Sequence, residues 1–442
     1  MTRVGLIDLS VAWKHPNLVG CVDTSMMIDF FSARYGAFPR PKKDFDWAAQ
    51  FQGLGDMELG PRSQQLYDNL RRRLCNSQDS RHAAPTTRPA FSAHGTAMTG
   101  LIGARPVSWT YAKPKFLEPM DQFITGALSA TTDILPYAGV DPFCKIVPIS
   151  TSFDPDPEQY ILALLYAHIA DVDLIVLARD FSDPNPANSP ATPSDRHPDG
   201  EVDVLKKNYP VSQSPGEREL WVELRNLICE ISKKRPILCA AGNGGDDMII
   251  YPASLAADDN GIIAIGAVAA SGQTASYSSA SDPGQNAVYA PGGDGERVDK
   301  EIQRRDVNSP DFDSALHDSS YKNELHTSLD VGGPDRPNSC TFAIEEVITT
   351  DVPGRFGYNG SLARIAFSET NEVIDFGSLF ARFSGTSAAV AIAGGFLSLA
   401  YSAGKLPSGD GLAAKQFLHA AGGTHKGEVF PSCLRWDRIP RL

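Results

Sequence analysis

Residues 383–389 read Phe383-Ser384-Gly385-Thr386-Ser387-Ala388-Ala389. A glycine at 385 lets the backbone approach where a side chain would block it. Beyond it, Val390, Ile392, Phe396, Leu397 and Ala400 recur at the spacing of one helix face. The stretch therefore reads as a loop running into a helix, with Ser387 in or beside the first turn. A serine hydroxyl is a poor nucleophile by itself. It needs a neighbouring base, a group that orients the base, and donors for the oxyanion. Upstream, the chain offers one candidate for each. Asp8 ends the apolar run 3–8, His94 opens an apolar-periodic helix carrying Met98, Leu101 and Ile102, and Asn243 follows the apolar run 237–241.

Between these points strands alternate with helices. The runs 3–8, 145–149, 173–178 and 237–241 are apolar enough for strands buried on both faces. Asp156 to Ala170 and the stretch from Ser214 to about Lys233 carry helical periodicity, and Ser214-Pro215-Gly216-Glu217 reads as a capping box. Alternation of this kind predicts an α/β fold: a three-layer arrangement with a mainly parallel sheet flanked by helices, and the site at the carboxyl ends of its strands.

Four blocks in order resemble the subtilisin-like serine proteases, or subtilases. They are Val4-Gly5-Leu6-Ile7-Asp8 with His15-Pro16-Asn17-Leu18, then His94-Gly95-Thr96-Ala97-Met98-Thr99-Gly100, then Ala240-Ala241-Gly242-Asn243, and lastly the serine block. The third runs on into Tyr251-Pro252-Ala253, Ser276-Tyr277-Ser278-Ser279 and Ala290-Pro291-Gly292. The match covers roughly half the chain, and the order Asp, His, Ser is one of the convergent arrangements of the triad. The resemblance implies an acyl-enzyme peptidase with Ser387 as nucleophile, His94 as general base, Asp8 orienting it, and Asn243 in the oxyanion hole. It also implies that Ala178, Arg179, Asp180 and Gly242 border the substrate. At 178–181 the family's Ser-Leu-Gly-Gly is replaced by Ala-Arg-Asp-Phe, so specificity is not carried over. Two further departures are Ser10, where the family prefers glycine, and Ala391, where it has proline. No metal or cofactor is expected. Calcium has no support, because the family's aspartate is Asn17 here and no cluster of oxygen ligands is evident. A catalytically silent binding or regulatory protein on the same fold, and an exopeptidase, are the alternatives.

Net charge is −13 over 442 residues, a balance that gives no support to nucleic-acid or anionic-membrane binding. No apolar run reaches the roughly 20 residues of a membrane span. The start lacks a charged-then-apolar leader, and the seven cysteines show no metal-ligand spacing. A cytoplasmic location with reduced thiols is expected, with a protein or peptide substrate and a regulatory protein partner. Residues 1–442 form one domain, with insertions at approximately 25–90, 105–138, 182–212 and 293–378. The region 294–378 is expected to gate the cleft or recruit substrate. Apolar runs at 342–344 and 362–367 suggest a hairpin near the site. Arg71-Arg72-Arg73 and Arg304-Arg305 are candidate processing points.

Overall fold

A computed structural model describes residues 1–438 except 34–45, 53–56, 76–88, 114–128, 185–214, 246–248, 280–286, 306–346, 359–378 and 423–432, with shorter breaks at 153–154, 182, 270–271, 294–296, 299–303 and 354–356. Thirteen strands are described: β1 Arg3–Asp8, β2 Ile28–Asp29, β3 Val107–Lys113, β4 Ser129–Leu135, β5 Lys145–Ser150, β6 Leu174–Leu177, β7 Ile237–Ala240, β8 Ile262–Val268, β9 Ala287–Pro291, β10 Arg297–Val298, β11 Arg304–Arg305, β12 Ile348–Thr350 and β13 Phe380–Arg382. The helices are α1 Phe30–Ala33, α2 Trp47–Gln52, α3 Pro61–Cys75, α4 Pro89–Gly103, α5 Pro157–Ile169, α6 Pro215–Lys234, α7 Thr386–Ser402 and α8 Gly411–Gly422.

Seven strands form one sheet in the order β2-β5-β1-β6-β7-β8-β9. Every pairing in it is parallel, so the expected α/β architecture is observed. Successive side chains on a strand point to opposite faces, and both faces here are apolar. Ile7, Ile149, Ile175, Leu177 and Ile237 pack with residues of α3, α5 and α6. Leu6, Ile146, Val176, Leu238 and Ile263 pack with residues of α4, α7 and α8. Each such side chain buried contributes roughly 1.5–3 kcal/mol. Helix α7 comes so close to the sheet that a Cβ on Gly394 would stand 2.5 Å from Val176.

Several boundaries differ from the sequence reading. His94 lies in the second turn of α4, because the helix starts at Pro89. The region 25–90 supplies three helices. In α3, Leu66, Leu70 and Leu74 face inward, and Glu223 of α6 caps its start by accepting from Ser63 N and Oγ at 2.7 Å. A carboxylate there meets the positive end of the helix dipole. Arg71, Arg72 and Arg73 lie on its exposed side. The region 105–138 carries the antiparallel pair β3–β4. Asn17 ties that region down by donating from its amide to the carbonyls of Arg105, Leu135 and Tyr137. Aspartate could not donate these bonds, which gives Asn17 a structural reason for being an amide. The capping Ser214 and the apolar runs 342–344 and 362–367 lie outside the described residues. The described hairpin near the site is β12–β13. Arg304 and Arg305 pair with β10.

Two histidines are packed into this framework in neutral form. Burial lowers His15 and His168 from 6.5 to about 4. In the unfolded chain both take up a proton near pH 6.5, so between pH 6.5 and 4 the unfolded state binds more protons. Their contribution to stability is complete above about pH 6.5 and is lost as pH falls towards 4, at about 1.4 kcal/mol per pH unit for each histidine. His168→Gln is expected to remove one proton's share of that slope, measured as urea-unfolding free energy at stepped pH across this window. An unchanged slope would show that His168 does not titrate on unfolding.

Candidate active site

Three parts of the chain converge at the carboxyl edge of the sheet. The first is the end of β1. Asp8 is 1% exposed. Its Oδ1 accepts from Leu9 N at 2.6 Å, and both of its oxygens lie 2.8–2.9 Å from His94 Nδ1. An acceptor-only carboxylate at Nδ1 places the ring proton there, which leaves Nε2 with its lone pair. Helix α4 can bring His94 this close because a Cβ on the next residue, Gly95, would stand 2.6 Å from Ser10 O and 2.7 Å from Leu9 O. Ser10, the departure from the family pattern, therefore meets α4 with its backbone.

The second part is the start of α7. Gly385 caps it with φ 108° and ψ 166°, a conformation that favours glycine. Tyr277 holds that turn. Its hydroxyl accepts from Gly385 N at 2.8 Å and lies 2.6 Å from Gly293 O, to which it donates. Ser387 occupies the first turn and is half-buried. The first N–H groups of a helix lack intrahelical acceptors, and the dipole makes this end favourable for negative charge.

The third part follows β7. Gly242 sits at φ 116°, and a Cβ on it would stand 2.7 Å from Ile250. Its N–H is 3.2 Å from the Thr386 hydroxyl. Asn243 Oδ1 accepts both from Thr386 N and from Thr386 Oγ1, each at 2.8 Å. Because a backbone N–H must meet an oxygen, these bonds fix which way the amide points. Asn243 Nδ2 is left as the donor facing away from Thr386. Sequence reasoning quoted Thr386 without giving it a role. Its signal was its place between a left-handed glycine and the serine.

The structure thus brings Asp8 to His94, and Asn243 to the residue preceding Ser387. Among the described residues, no hydrogen bond joins His94 to Ser387. The two halves meet instead through Phe383, whose ring packs edge-on to the imidazole with centroids 5.3 Å apart. Tyr358 also packs on Phe383, with ring centroids 5.8 Å apart.

The residues expected to border substrate differ in exposure. Ala178 is buried among the side chains under α4 and α7. Asp180 is exposed and Arg179 half-buried. Phe181 turns into the core, against Tyr160 at 4.7 Å, Trp221 at 5.7 Å and Tyr251 at 5.4 Å. An aromatic side chain where the family has glycine is accommodated by that cluster. Among the described residues no group of three His, Cys, Asp or Glu could hold a metal ion, and no helix is long and apolar enough to cross a membrane.

The sequence matches the subtilase family over residues 2–345, a span that contains Asp8, His94 and Asn243 and stops before Ser387. No curated protein matches it. Among solved structures, the nisin leader peptidase NisP from Lactococcus lactis is 13% identical, with 99% of this chain and 86% of that one covered and a TM-score of 0.48. A lanthipeptide protease is 12% identical, with 99% and 86% covered and a TM-score of 0.46. The serine protease of Aeromonas sobria is 15% identical, with 92% and 48% covered and a TM-score of 0.43. Overlaps this loose add nothing to the assignment, which rests on the family match and is consistent with the parallel sheet: the chain belongs to the subtilase family and is a serine protease.

Proposed function

We propose that the chain is an intracellular serine endopeptidase acting on a restricted protein substrate, with Ser387 as nucleophile. The bond from His94 Nδ1 to the buried Asp8 carries this reading, because it leaves Nε2 as the base. Ser387 Oγ attacks the scissile carbonyl carbon while His94 Nε2 takes its proton. The oxyanion is met by Asn243 Nδ2 and the Ser387 N–H. Collapse of the adduct breaks the C–N bond, and His94 returns the proton to the leaving amine. Water, deprotonated by the same imidazole, then hydrolyses the acyl-enzyme. Asp8 stabilises the imidazolium formed in both halves. Because no bond joins His94 to Ser387 before substrate binds, the reading requires that contact to tighten in the complex, as is common in unliganded enzymes.

Ala178, Arg179, Asp180 and Gly242 are proposed to border the substrate path, with Asp180 the exposed charge among them. The reading places the chain in a reducing compartment, where its cysteines stay as thiols. A regulatory protein partner acting through residues 294–378 belongs to the same reading. Residues 306–346 and 359–378 of that region lie outside the described residues.

Ser387→Ala is expected to abolish both labelling by a fluorophosphonate and proteolysis while leaving the circular dichroism spectrum intact. Retained cleavage at the parent rate would mean another nucleophile. Product sizes from a protein substrate separate internal cleavage from trimming at an end. Asn243→Ala is expected to lower kcat by about 10²–10³-fold with little change in KM. Thr386→Val removes one of the two bonds that orient Asn243 and should cost less, roughly ten-fold. Steady-state kinetics of the two variants check this order, and equal losses would contradict a purely orienting role for Thr386.

A further inference from the structure

Asn243 and Ser387 belong to different loops, and Tyr277 is bonded to both loops. The segment around Tyr277 is fixed to the end of β8. Ala275 N donates to Ala267 O at 2.9 Å, and Ser278 Oγ accepts from Ala267 N at 2.9 Å. From that footing the backbone reaches the Asn243 loop. Tyr277 O accepts from Gly245 N at 2.7 Å, and Ser279 N donates to Gly242 O at 2.9 Å. These two bonds bracket Asn243 in the chain. The side chain of Tyr277 reaches the serine turn, where its hydroxyl accepts from Gly385 N at 2.8 Å. The hydroxyl proton meets the carbonyls that follow β9, 2.6 Å from Gly293 O and 2.9 Å from Gly292 O. A Cβ on Gly292 would stand 2.7 Å from this hydroxyl, so the glycine is what admits the phenol.

We infer that Tyr277 is a positioning residue that sets the spacing between the Asn243 amide and the Ser387 N–H. The inference rests on the reading of those two groups as oxyanion donors. Such donors act only within about 2.7–3.1 Å of the oxygen where charge develops, so their two loops must keep one separation. A Cβ on Gly385 would stand 3.3 Å from Asn243 Nδ2, so the serine turn already lies against the amide and a small shift of either changes the gap. Thr386 links the same loops through the Asn243 side chain, and that link fixes the rotation of the amide. Tyr277 links them through its own backbone and a ring with two torsions, which is a stiffer spacer. Gly385 N also lies 3.2 Å from Gly292 O. That longer bond holds the turn to the end of β9 and gives it no reference to the Asn243 loop.

The test is the saturation kinetics of fluorophosphonate labelling for the intact parent, Tyr277→Phe, Asn243→Ala and the double variant. Ser387 Oγ displaces fluoride from phosphorus, and the phosphoryl oxygen takes the place of the oxyanion. Tyr277→Phe keeps the ring and removes the hydroxyl. Its maximal labelling rate is expected to fall roughly tenfold, with the half-saturating probe concentration within about twofold of the parent's. In the Asn243→Ala background the same change is expected to cost at most about threefold, because one of the two donors it spaces is gone. An unchanged maximal rate, a loss confined to half-saturation, or an equal loss in both backgrounds overturns the inference. If Tyr277→Phe does not fold, Tyr277→Leu carries the same expectations. Amide hydrogen exchange gives a readout that needs no activity. The Gly385 and Ser387 N–H groups are expected to exchange faster in Tyr277→Phe, while those of α5 keep the parent rates. A parent protein that takes up no probe refutes the protease reading, and the positioning by Tyr277 is then decided by this exchange, which overturns it if unchanged.

Discussion

A carboxylate at the end of a buried strand must be compensated, because removing an ion from water costs several kcal/mol even after relaxation. Asp8 is such a group, and its partner His94 comes from a helix 86 residues downstream. Satisfying that one oxygen pair fixes much else. Strand β1 is held in the middle of the sheet by β5 and β6. Helix α4 must cross the end of β1 closely enough to deliver an imidazole, and Gly95 is what allows it. The same pairing that offsets the burial of Asp8 also settles the ring proton on Nδ1 and leaves Nε2 with its lone pair.

The other half of the site is built by a similar economy. A helix start leaves N–H groups without acceptors, and a loop asparagine needs its amide oriented. Thr386 and Asn243 meet both needs with one pair of bonds. The geometry depends on two glycines in the left-handed region, Gly242 and Gly385. Placing any other residue at either position would strain the backbone and push a Cβ into the facing loop. The wall that presents Ser387 is therefore set by backbone conformation.

The sheet, and the blocks that carry the candidate site, were legible in the sequence because they are local. Apolar runs of five or six residues identify β1, β5, β6 and β7, and Gly385 marks the loop that enters α7. What was not legible depends on distant partners. The amide at Asn17 is explained only by carbonyls at 105, 135 and 137. Within 25–90 a short helix over 63–75 is legible and matches α3, whereas the short helices α1 and α2 are stabilised by burial in the core, which no local pattern shows. Phe181 stands where the family has glycine, and it is a core residue because Tyr160, Trp221 and Tyr251 receive it. The role of Thr386 was missed because a hydroxyl next to a nucleophile carries no periodic signal.

The hairpin β12–β13 shows how a long stretch of chain can enter this site without disturbing it. Thr349 donates to Ala97 O at 2.7 Å, and Thr350 to Thr96 O at 2.9 Å. Both carbonyls belong to the helix that carries His94. The contact is possible because Gly100 has no side chain, since a Cβ there would stand 2.6 Å from the Thr349 hydroxyl. From the other strand the chain passes through Phe383 into α7. His15 fixes the entry to that strand by donating from Nε2 to Leu379 O at 2.9 Å. Burial keeps His15 neutral, so its other nitrogen can accept from Asn17 N. The hairpin is thus a strut between α4 and α7, which also touch directly where Gly395 approaches Ile102. Because the strut is bonded at its base, the length of chain between β12 and β13 can vary at a loop-closure cost of only about 0.6 kcal/mol per doubling. The separation of His94 from Ser387 is set at the base of the strut.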